Sequence, residues 1–376
     1  MRTRAAVLYE SGKPAPYSQS RPLVIEELEL SGPGPGEVLV QVSAAGLCHS
    51  DLSVIDGSRP WPLPMVLGHE ASGVVREVGK EVRGFSSGDH VVFSFIPVCG
   101  RCEPCAVGRP ALCMPGIRAN VGGMLLTGNK PFASLKGQSI HHFLGVAGFS
   151  EFTVVAAESL VKIDPSFPLD KAALFGCAVI TGVGAVANAA KVEPGASVAV
   201  FGMGGVGLSA VMGARAMGAH PTVAVDVLKD KLEGAKAAGA SHVIDASAGD
   251  PAKAIRELTR GGAEYAIECA GRADVLMQAY AATRRGGTTV TIGLPNPNQE
   301  FKVSAFSLTA DERTVKGSFM GSAVPARDIP RYMSMYGADL LPVDSLVTRS
   351  ISLDQINEGF DALATGQAVR QLIRYD

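Results

Sequence analysis

The chain has 376 residues, of which 47% are hydrophobic and 19% charged, a balance that excludes a mainly disordered protein. Its 34 lysines and arginines are offset by 36 aspartates and glutamates, and the net charge of −2 argues against nucleic acid as a partner. Glycine, proline and charged residues interrupt every apolar run before about 18 residues, which argues against a membrane partner. The N-terminus lacks the long apolar core of a signal peptide, so we expect a cytoplasmic protein.

The first half of the chain alternates short apolar segments with turns rich in glycine and proline. Dense turn signals, such as the SGPGPG run at 31–36, favour a β-rich, partly barrel-like domain. The predicted strands in this half are Glu37–Val42, Ser72–Val78, His90–Phe95 and Glu151–Val155.

From about Thr181 onward, predicted strands alternate with helices rich in alanine, leucine, lysine and arginine. The predicted strands are Ser197–Phe201, Thr222–Asp226, His242–Asp245, Tyr265–Cys269, Thr288–Ile292 and Thr314–Phe319. The predicted helices are Gly207–Met217, Lys229–Ala238, Pro251–Arg260 and Arg272–Thr283. Short strand–helix–strand connections favour a parallel, doubly wound sheet, and the fold class is therefore α/β.

A glycine-rich loop with the sequence GMGGVG joins the first strand and helix of this second half. Its glycines are Gly202, Gly204, Gly205 and Gly207. Such a loop lets backbone N–H groups approach a pyrophosphate at a helix N-terminus. Asp226 ends the next strand about 20 residues later, where a carboxylate can bind the ribose hydroxyls of NAD and repel a 2′-phosphate. This context favours NAD binding over an ordinary glycine-rich turn.

Four of the seven cysteines fall within one short segment: Cys99, Cys102, Cys105 and Cys113. Four thiolates can surround Zn²⁺ at about 2.3 Å with no open position, which is typical of a structural zinc site. An iron–sulfur cluster is the main alternative, but the fourth spacing does not match one. Disulfides are disfavoured in the reducing cell interior. Cys269 is left over and is interpreted as a small buried residue at a strand end.

Three further candidate ligands, Cys48, His69 and Cys177, are far apart in the sequence. Two thiolates and a neutral imidazole would neutralise Zn²⁺ and leave a fourth position for water or an alcohol. Spacing alone does not unite them, and each by itself is better explained as a core residue.

Taken together, these motifs resemble the zinc-dependent medium-chain alcohol dehydrogenase family over essentially the whole chain. The matching segments are CHSD at 48–51, GHEASG at 68–73, the four-cysteine segment, HHFLGVAGFSEF at 141–152, GMGGVG at 202–207 and INEGFDAL at 356–363. The resemblance implies a GroES-like β-rich catalytic domain over 1–178 and 321–376 and a Rossmann NAD-binding domain over 179–320. The long segment between Cys113 and His141 is most similar to the longer, typically dimeric subgroup, which implies a homodimer.

The resemblance also implies roles for individual residues. Cys48, His69 and Cys177 would hold a catalytic zinc, with Glu70 behind it. Asp51 would accept the other ring N–H of His69. The other implied contacts are Ser50 with the alcohol oxygen, Asp226 and Lys231 with the adenosine ribose, His49 and Arg370 with the pyrophosphate, and Thr181 and Val206 with the nicotinamide.

The implied reaction is hydride transfer between an alcohol and NAD, giving an aldehyde or ketone. The residues that match the family's substrate pocket are Phe95, Phe143, Leu294 and Phe319, which favours a medium-chain or aromatic primary alcohol. An alternative substrate is a hydroxymethyl–thiol adduct, because CHSD resembles the CHTD of glutathione-dependent relatives and Arg118 lies one position from their anion-binding arginine. A non-catalytic cofactor-binding relative is a third alternative, which the intact ligand positions disfavour.

The proton of the alcohol must also leave the site. Many family members place a histidine at the position of Ser53, and a serine hydroxyl is too weakly basic to replace it near pH 7. The proton relay must therefore end elsewhere, either at water bridged by Ser53 or at His49. We expect that Ser50 is essential for proton transfer and that Ser53 is only a conduit, with the roles of Arg59, Arg118 and Cys269 left open.

Overall fold

A computed structural model describes residues 1–375. The chain forms two compact units. The first comprises Met1–Cys177, Val324–Pro330 and residues 347–375, and the second comprises Ala178–Ala323 and Arg331–Leu346.

The strands of residues 1–375 are β1 Arg2–Leu8, β2 Leu23–Leu30, β3 Glu37–Gly46, β4 Met65–Val66, β5 Glu70–Val78, β6 His90–Phe93, β7 Phe132–Ser134, β8 Ser139–His142, β9 Phe152–Ala156, β10 Leu160–Lys162, β11 Val198–Phe201, β12 Thr222–Asp226, β13 His242–Asp245, β14 Ala263–Glu268, β15 Thr283–Thr291, β16 Thr314–Gly317, β17 Val347–Ile351 and β18 Arg370–Arg374.

The α-helices are α1 Tyr17–Ser20, α2 His49–Ile55, α3 Glu103–Ala106, α4 Met114–Val121, α5 Leu169–Ala172, α6 Ala178–Gly184, α7 Gly205–Ala216, α8 Lys229–Ala238, α9 Pro251–Leu258, α10 Ala273–Ala282, α11 Ala305–Ala310, α12 Pro325–Gly337 and α13 Ile356–Ala364. A π-helical segment, Ala185–Ala190, continues α6. Short 3₁₀ helices span Pro110–Leu112, Phe143–Gly145, Ala157–Ser159, Ala173–Gly176, Met320–Ser322, Val343–Leu346 and Leu353–Gln355.

The first unit combines a closed barrel with a larger sheet. The barrel has the strand order β1-β2-β7-β8-β4, and its interior packs apolar side chains such as Val7, Leu28, Phe132 and Ile140. The seven-stranded sheet has the order β10-β6-β5-β3-β18-β17, and β9 also pairs with β3. Because the C-terminal strand β18 pairs with β3, the end of the chain returns to this β-rich unit, as the sequence predicts.

The second unit is built on a six-stranded parallel sheet. Its strand order is β13-β12-β11-β14-β15-β16, with α7, α8, α9 and α10 as the crossovers between successive strands. This order reverses direction between β11 and β14, and a crevice for ligands forms outside the carboxyl ends of strands at such a point. The predicted doubly wound α/β fold is therefore confirmed, and Phe201, Val223 and Ile255 lie in its core.

The two largest differences from the sequence-based boundaries lie in the second half of the chain. Residues 331–346 belong to the second unit, although the sequence assigns all of 321–376 to the catalytic domain, because the 3₁₀ helix Val343–Leu346 packs against α7 and α8. Strand β15 begins at Thr283, five residues earlier than predicted, because Thr283 pairs with Ala263 across an irregular register. Both differences come from tertiary pairing that local sequence patterns do not report.

The structure also bears on membrane insertion. Within residues 1–375, no single helix has both the length and the apolar composition needed to cross a bilayer. Two consecutive helical segments, Leu169–Gly176 and Ala178–Ala190, form a bent pair that together has sufficient length and apolar composition, and this is a statement about length and composition alone.

One carboxylate joins the two ends of the chain in the first unit. Asp361 of α13 accepts hydrogen bonds from the backbone N–H groups of Tyr17 and Ser18 at the start of α1, the latter at 2.9 Å. Partial burial raises the pKa of Asp361, but these hydrogen bonds outweigh it and hold the pKa below its usual range.

We expect Asp361→Ala to lower the free energy of unfolding by about 1–2 kcal/mol at pH 7, because two N–H groups lose a charged acceptor. Since the folded-state pKa is depressed, this contribution is present above the ordinary Asp pKa of about 3.9 and is lost as pH falls through the lower folded value. Urea unfolding at several pH values measures it. Asp354→Ala, which removes only an exposed ion pair with Arg4, is the control and should cost much less. Equal decreases in the free energy of unfolding of the two variants would contradict the prediction.

Candidate active site

Three of the candidate zinc ligands come together in the first unit. Cys48 immediately precedes α2, His69 lies between β4 and β5, and Cys177 follows the 3₁₀ helix Ala173–Gly176. Their ligand atoms all lie within 4.8 Å of one another, and all three residues are buried. Sγ of Cys177 is 3.3 Å from Nε2 of His69. The fold thus unites three residues whose spacing in the sequence does not connect them.

The carboxylate of Asp51 orients the imidazole of His69. Asp51 lies in the first turn of α2 and is fully buried. Its Oδ1 accepts the Gly68 N–H at 3.0 Å and lies 3.1 Å from Nδ1 of His69. Burial raises the pKa of Asp51, and His69 only partly offsets this effect. Burial lowers the pKa of His69, but the Asp51 carboxylate raises this pKa by more, so the net effect is an increase. A proton on Nδ1 leaves Nε2, which faces Cys177, available as a ligand atom.

A buried ion pair lies beside the same cluster. Nε of Arg370 is 3.5 Å from Oε1 of Glu70, and an Nη2–H of Arg370 donates to Sγ of Cys48 at 3.7 Å. Burial raises the pKa of Glu70 to about 7, against the opposing effect of Arg370. A hydrogen bond with Cys177 lowers the pKa of Cys48 well below its usual range, and the Arg370 charge adds to this effect while burial opposes it. Arg370, for which the resemblance implies a pyrophosphate contact, is thus buried against the cluster of candidate zinc ligands.

Two glycines make room for this arrangement. Gly68 has φ of +90°, and a Cβ there would lie 2.6 Å from the backbone nitrogen of Phe149. Gly46 pairs with Glu70 between β3 and β5, and a Cβ at Gly46 would clash with the Glu70 carboxylate. Any larger residue would therefore displace the segment that carries His69 and Glu70.

The donor set of this cluster fits zinc with one open position. Two cysteine sulfurs and one histidine nitrogen, with a carboxylate behind the histidine, are typical ligands of catalytic zinc. Among the residues that the structure describes, no group donates a hydrogen bond to either oxygen of Glu70. A buried carboxylate with open lone pairs next to Cys48 is also compatible with a cation at this place.

The four-cysteine segment forms a second cluster. The Sγ atoms of Cys99, Cys102, Cys105 and Cys113 all lie within 4.8 Å of one another, and none is in a disulfide. The N–H of Cys99 donates to Sγ of Cys113 at 3.3 Å, and the N–H of Cys102 donates to Sγ of Cys99 at 3.4 Å. A backbone hydrogen bond from Cys105 lowers the pKa of Cys102 to about 6. Four sulfur donors fit a closed zinc site.

Aromatic rings surround the imidazole of His69. The Phe95 and Phe143 rings meet it edge-on, with centroids at 5.6 and 5.8 Å. Trp61 packs edge-on against Phe143 at 5.2 Å. We call Trp61, Phe95 and Phe143 the aromatic wall. Sequence analysis missed Trp61, whose only signal is that it is the single tryptophan and follows α2 closely. The other two predicted pocket residues, Leu294 and Phe319, belong to the second unit.

Helix α2 carries the residues predicted for proton transfer and for one phosphate contact. His49 is exposed, whereas Ser50 and Ser53 are half-buried. The Ser53 hydroxyl donates to the carbonyl oxygen of Ser50 at 2.7 Å. This bond fixes the Ser53 side chain against the helix, because a serine hydroxyl inside a helix can donate to a backbone carbonyl about one turn earlier.

The glycine-rich loop of the second unit opens α7. Gly202 follows β11 with φ of +92°, and Gly204 precedes the first residue of the helix. A Cβ at Gly207 would overlap the carbonyl oxygen of Gly202. Gly205 is the first residue of α7, so its N–H belongs to the helix N-terminus that such loops offer to an anion.

Asp226 ends β12 beside this loop. Its Oδ2 accepts the N–H of Met203 at 2.6 Å, and its Oδ1 accepts the N–H groups of Val227 and Leu228 at 2.8 and 3.0 Å. Three backbone donors therefore fix a carboxylate that is only 9% exposed. The remaining predicted cofactor contacts of this unit are Lys231 in α8, Thr181 in α6 and Val206 in α7.

The structure also gives the positions of three residues whose roles the sequence leaves open. Arg118 is exposed on α4, and Arg59 is half-buried after α2. Cys269 follows β14, as predicted, and is half-buried, which corrects the interpretation that it is a buried residue. Its position at the end of a central strand, where the loop leaves the sheet, accounts for the remaining exposure.

Two family models match the chain. The model described as alcohol dehydrogenase GroES-like domain matches residues 34–165, and the model described as zinc-binding dehydrogenase matches residues 205–337. Together they account for well over half of the chain.

Known proteins match along the full length. Alcohol dehydrogenase 1 of Trifolium repens is 37% identical over 381 residues, which cover 100% of this chain and 98% of the relative. The benzyl alcohol dehydrogenase structure from Acinetobacter calcoaceticus is 33% identical, with a TM-score of 0.93 over 100% of both chains. A structure from Sinorhizobium meliloti 1021 with NADP bound is 26% identical, with a TM-score of 0.82 over 100% of both chains. These findings confirm the predicted fold class, zinc and a nicotinamide cofactor.

The two clusters predict the metal content of the protein. We expect two zinc ions per chain by elemental analysis, and Cys48→Ser and Cys102→Ser should each lose one of them. Only Cys102→Ser should also lower the melting temperature strongly, because the closed four-thiolate cluster loses its counter-ion. Cys269→Ser is the matched control, since its thiol lies outside both clusters, and it should retain both ions. One ion or none in fresh wild-type protein would refute this assignment.

Proposed function

Because the chain belongs to the zinc-dependent medium-chain alcohol dehydrogenase family, we propose that it transfers a hydride between a medium-chain or aromatic primary alcohol and NAD. Family membership makes it an oxidoreductase rather than a non-catalytic relative. The observation that carries the proposal is the buried cluster of Cys48, His69 and Cys177, with the aromatic wall against its imidazole.

In this proposal Cys48, His69 and Cys177 hold the catalytic zinc, and the four-cysteine cluster holds the structural zinc. Zinc bound at the open site supplies Lewis-acid polarisation of the alcohol or carbonyl oxygen. Asp51 fixes the His69 ring so that Nε2 faces the cysteines. Arg370 balances the negative charge of Glu70 and Cys48 and so reduces the cost of burying them.

The protein must also move the alcohol proton. We assign Ser50 the hydrogen bond to the alcohol oxygen, because its hydroxyl can accept that proton while donating its own. Ser53 donates to the Ser50 carbonyl and has no basic group, so it serves as a conduit and not as the terminal base. His49, exposed at the start of the same helix, is assigned to the cofactor pyrophosphate.

The second unit is proposed to bind NAD. Backbone N–H groups of the GMGGVG loop would hold the pyrophosphate, and Asp226 with Lys231 would hold the adenosine ribose. Thr181 and Val206 are assigned to the nicotinamide. A carboxylate that is fixed by three backbone donors repels a 2′-phosphate strongly, because it cannot turn away from it.

The aromatic wall supports the substrate class. Trp61 extends the ring series that begins at His69, so an apolar or aromatic substituent would meet ring faces and edges on one side. The likeness to benzyl alcohol dehydrogenase of Acinetobacter calcoaceticus supports the same choice. The family resemblance also assigns Leu294 and Phe319 to substrate contacts.

We further propose a cytoplasmic homodimer whose first unit is catalytic and whose second unit binds NAD. Within residues 1–375, β16 pairs with β15 alone, which leaves one edge of the six-stranded sheet open. Phe306, in α11 shortly before this strand, is 80% exposed. An open strand edge and an exposed aromatic side chain are both features that a second copy can cover.

A turnover screen tests the proposed substrate class. We expect pentan-1-ol and benzyl alcohol to exceed ethanol in kcat/KM by roughly 50-fold, because each additional buried CH₂ contributes about 0.8 kcal/mol. Phe143→Ala should reduce this advantage, and Phe167→Ala, an aromatic residue of the same unit that packs on Phe175 instead, is the matched control. A hydroxymethyl–thiol adduct turned over far better than every free alcohol would overturn the proposed substrate.

Cofactor choice gives a second measurement. Asp226→Gly should reduce the preference for NAD over NADP in kcat/KM by about tenfold or more, since it removes charge repulsion of the 2′-phosphate. Asp245→Gly is the matched control, because Asp245 ends the neighbouring strand in register with Asp226. It should leave the preference unchanged. Equal activity of the wild type with both cofactors would show that Asp226 does not select NAD.

A further inference from the structure

Helix α4 lies between the four-cysteine cluster and the aromatic wall. It begins directly after Cys113, one of the four clustered thiols. The first turn of α4 lies close to the segment that follows Phe95. A Cβ at Gly116 in this turn would clash with the carbonyl oxygen of Pro97. The position of the helix is therefore fixed at one end by the cysteine cluster and along its side by the backbone behind the pocket.

Asn120 is the polar residue of this contact. It is 2% exposed, and its Nδ2 donates to the carbonyl oxygen of Phe95 at 2.8 Å. That carbonyl belongs to the residue whose ring packs against His69. A buried amide donor on a buried carbonyl fixes the backbone there, because breaking the bond leaves two unpaired polar groups.

The oxygen of the same amide lies close to Gly145, at the end of the turn that begins at the second phenylalanine of the wall. Gly145 ends the 3₁₀ helix that begins at Phe143, and a Cβ there would lie 3.6 Å from Oδ1 of Asn120 and 3.0 Å from Oγ of Ser159. The structure describes no hydrogen-bond partner for either of these two buried oxygens. Asn120 therefore stands behind both Phe95 and the turn of Phe143.

We propose that Asn120 is a positioning residue that holds Phe95 and the Phe143–Gly145 turn in place around His69, and that α4 thereby makes the substrate pocket depend on the four-cysteine cluster. The inference rests on the proposed function for its effect on turnover but not for its effect on structure. No part of Asn120 needs to touch the substrate, because it acts through the backbone of Phe95.

The single tryptophan gives a direct readout. Trp61 packs on Phe143, so its fluorescence reports the aromatic wall whether or not any alcohol is turned over. Asn120→Leu keeps a similar volume and removes both polar ends of the amide. Asn357→Leu is the matched control: Asn357 is also buried in the first unit and also bonds backbone groups, but those of Leu23, not of the wall.

We expect both variants to lower the melting temperature and only Asn120→Leu to shift the Trp61 emission and increase its quenching by acrylamide. In the same variant, the ratio of kcat/KM for benzyl alcohol to that for ethanol should fall roughly five- to tenfold, because a small loss of positioning affects only the substrate that contacts the wall. Cys102→Ser should shift the Trp61 emission in the wild-type background and not further in Asn120→Leu, since both act through α4.

The inference is overturned if Asn120→Leu loses stability without a change in Trp61 emission, or if Asn357→Leu changes that emission equally. If the shifts in Trp61 emission caused by Cys102→Ser and Asn120→Leu are additive in the double variant, the coupling through α4 is refuted. If Asn120→Leu does not fold, Asn120→Ala serves under the same criteria, since it also removes the donor to Phe95. A wild-type protein that oxidises no alcohol would refute the proposed function, while the Trp61 measurements would still decide the role of Asn120.

Discussion

The arrangement around the candidate zinc site depends on one buried cation, Arg370. Cys48, whose thiol pKa is lowered, and Glu70 are buried beside each other, and buried anions are costly unless positive charge lies within contact distance. Arg370 supplies it, 3.5 Å from Glu70 and 3.7 Å from Cys48. It can do so only because β18 pairs with β3 and brings the end of the chain to this place. The return of the C-terminus is thus an electrostatic requirement of the site as well as a packing feature.

The candidate zinc site and the glycine-rich loop also both require backbone segments to approach each other closely. Gly46 leaves space for the Glu70 carboxylate, Gly68 adopts a left-handed conformation against Phe149, and Gly207 lies against Gly202 in the dinucleotide loop. At each place a Cβ would displace a segment that carries functional groups. The high glycine content of the sequence therefore has a local physical cause at these positions, since a single methyl group decides whether the neighbouring strand or loop fits.

The sequence predicts the features that local patterns encode. The alternation of predicted strands and helices after Thr181, together with the GMGGVG loop, predicts the parallel sheet. The spacing of the four cysteines predicts that their thiols form a cluster, and this prediction needs no long-range information. Trp61, Asn120 and the grouping of residues 331–346 with the second unit could not be predicted, because each is defined by tertiary contacts that carry no repeating signal. The buried partners of Arg370 likewise follow from strand pairing and not from its neighbours in the chain.

The two sites are structurally self-contained. Cys48, His69, Cys177 and the charges that balance them all lie in the first unit, whereas the glycine loop and Asp226 lie in the second. Asp226 is fixed by backbone donors of its own unit, and the His69 imidazole is fixed by Asp51 in its own. The hydrogen bonds that orient His69 and those that fix Asp226 are consequently separate local features of the chain.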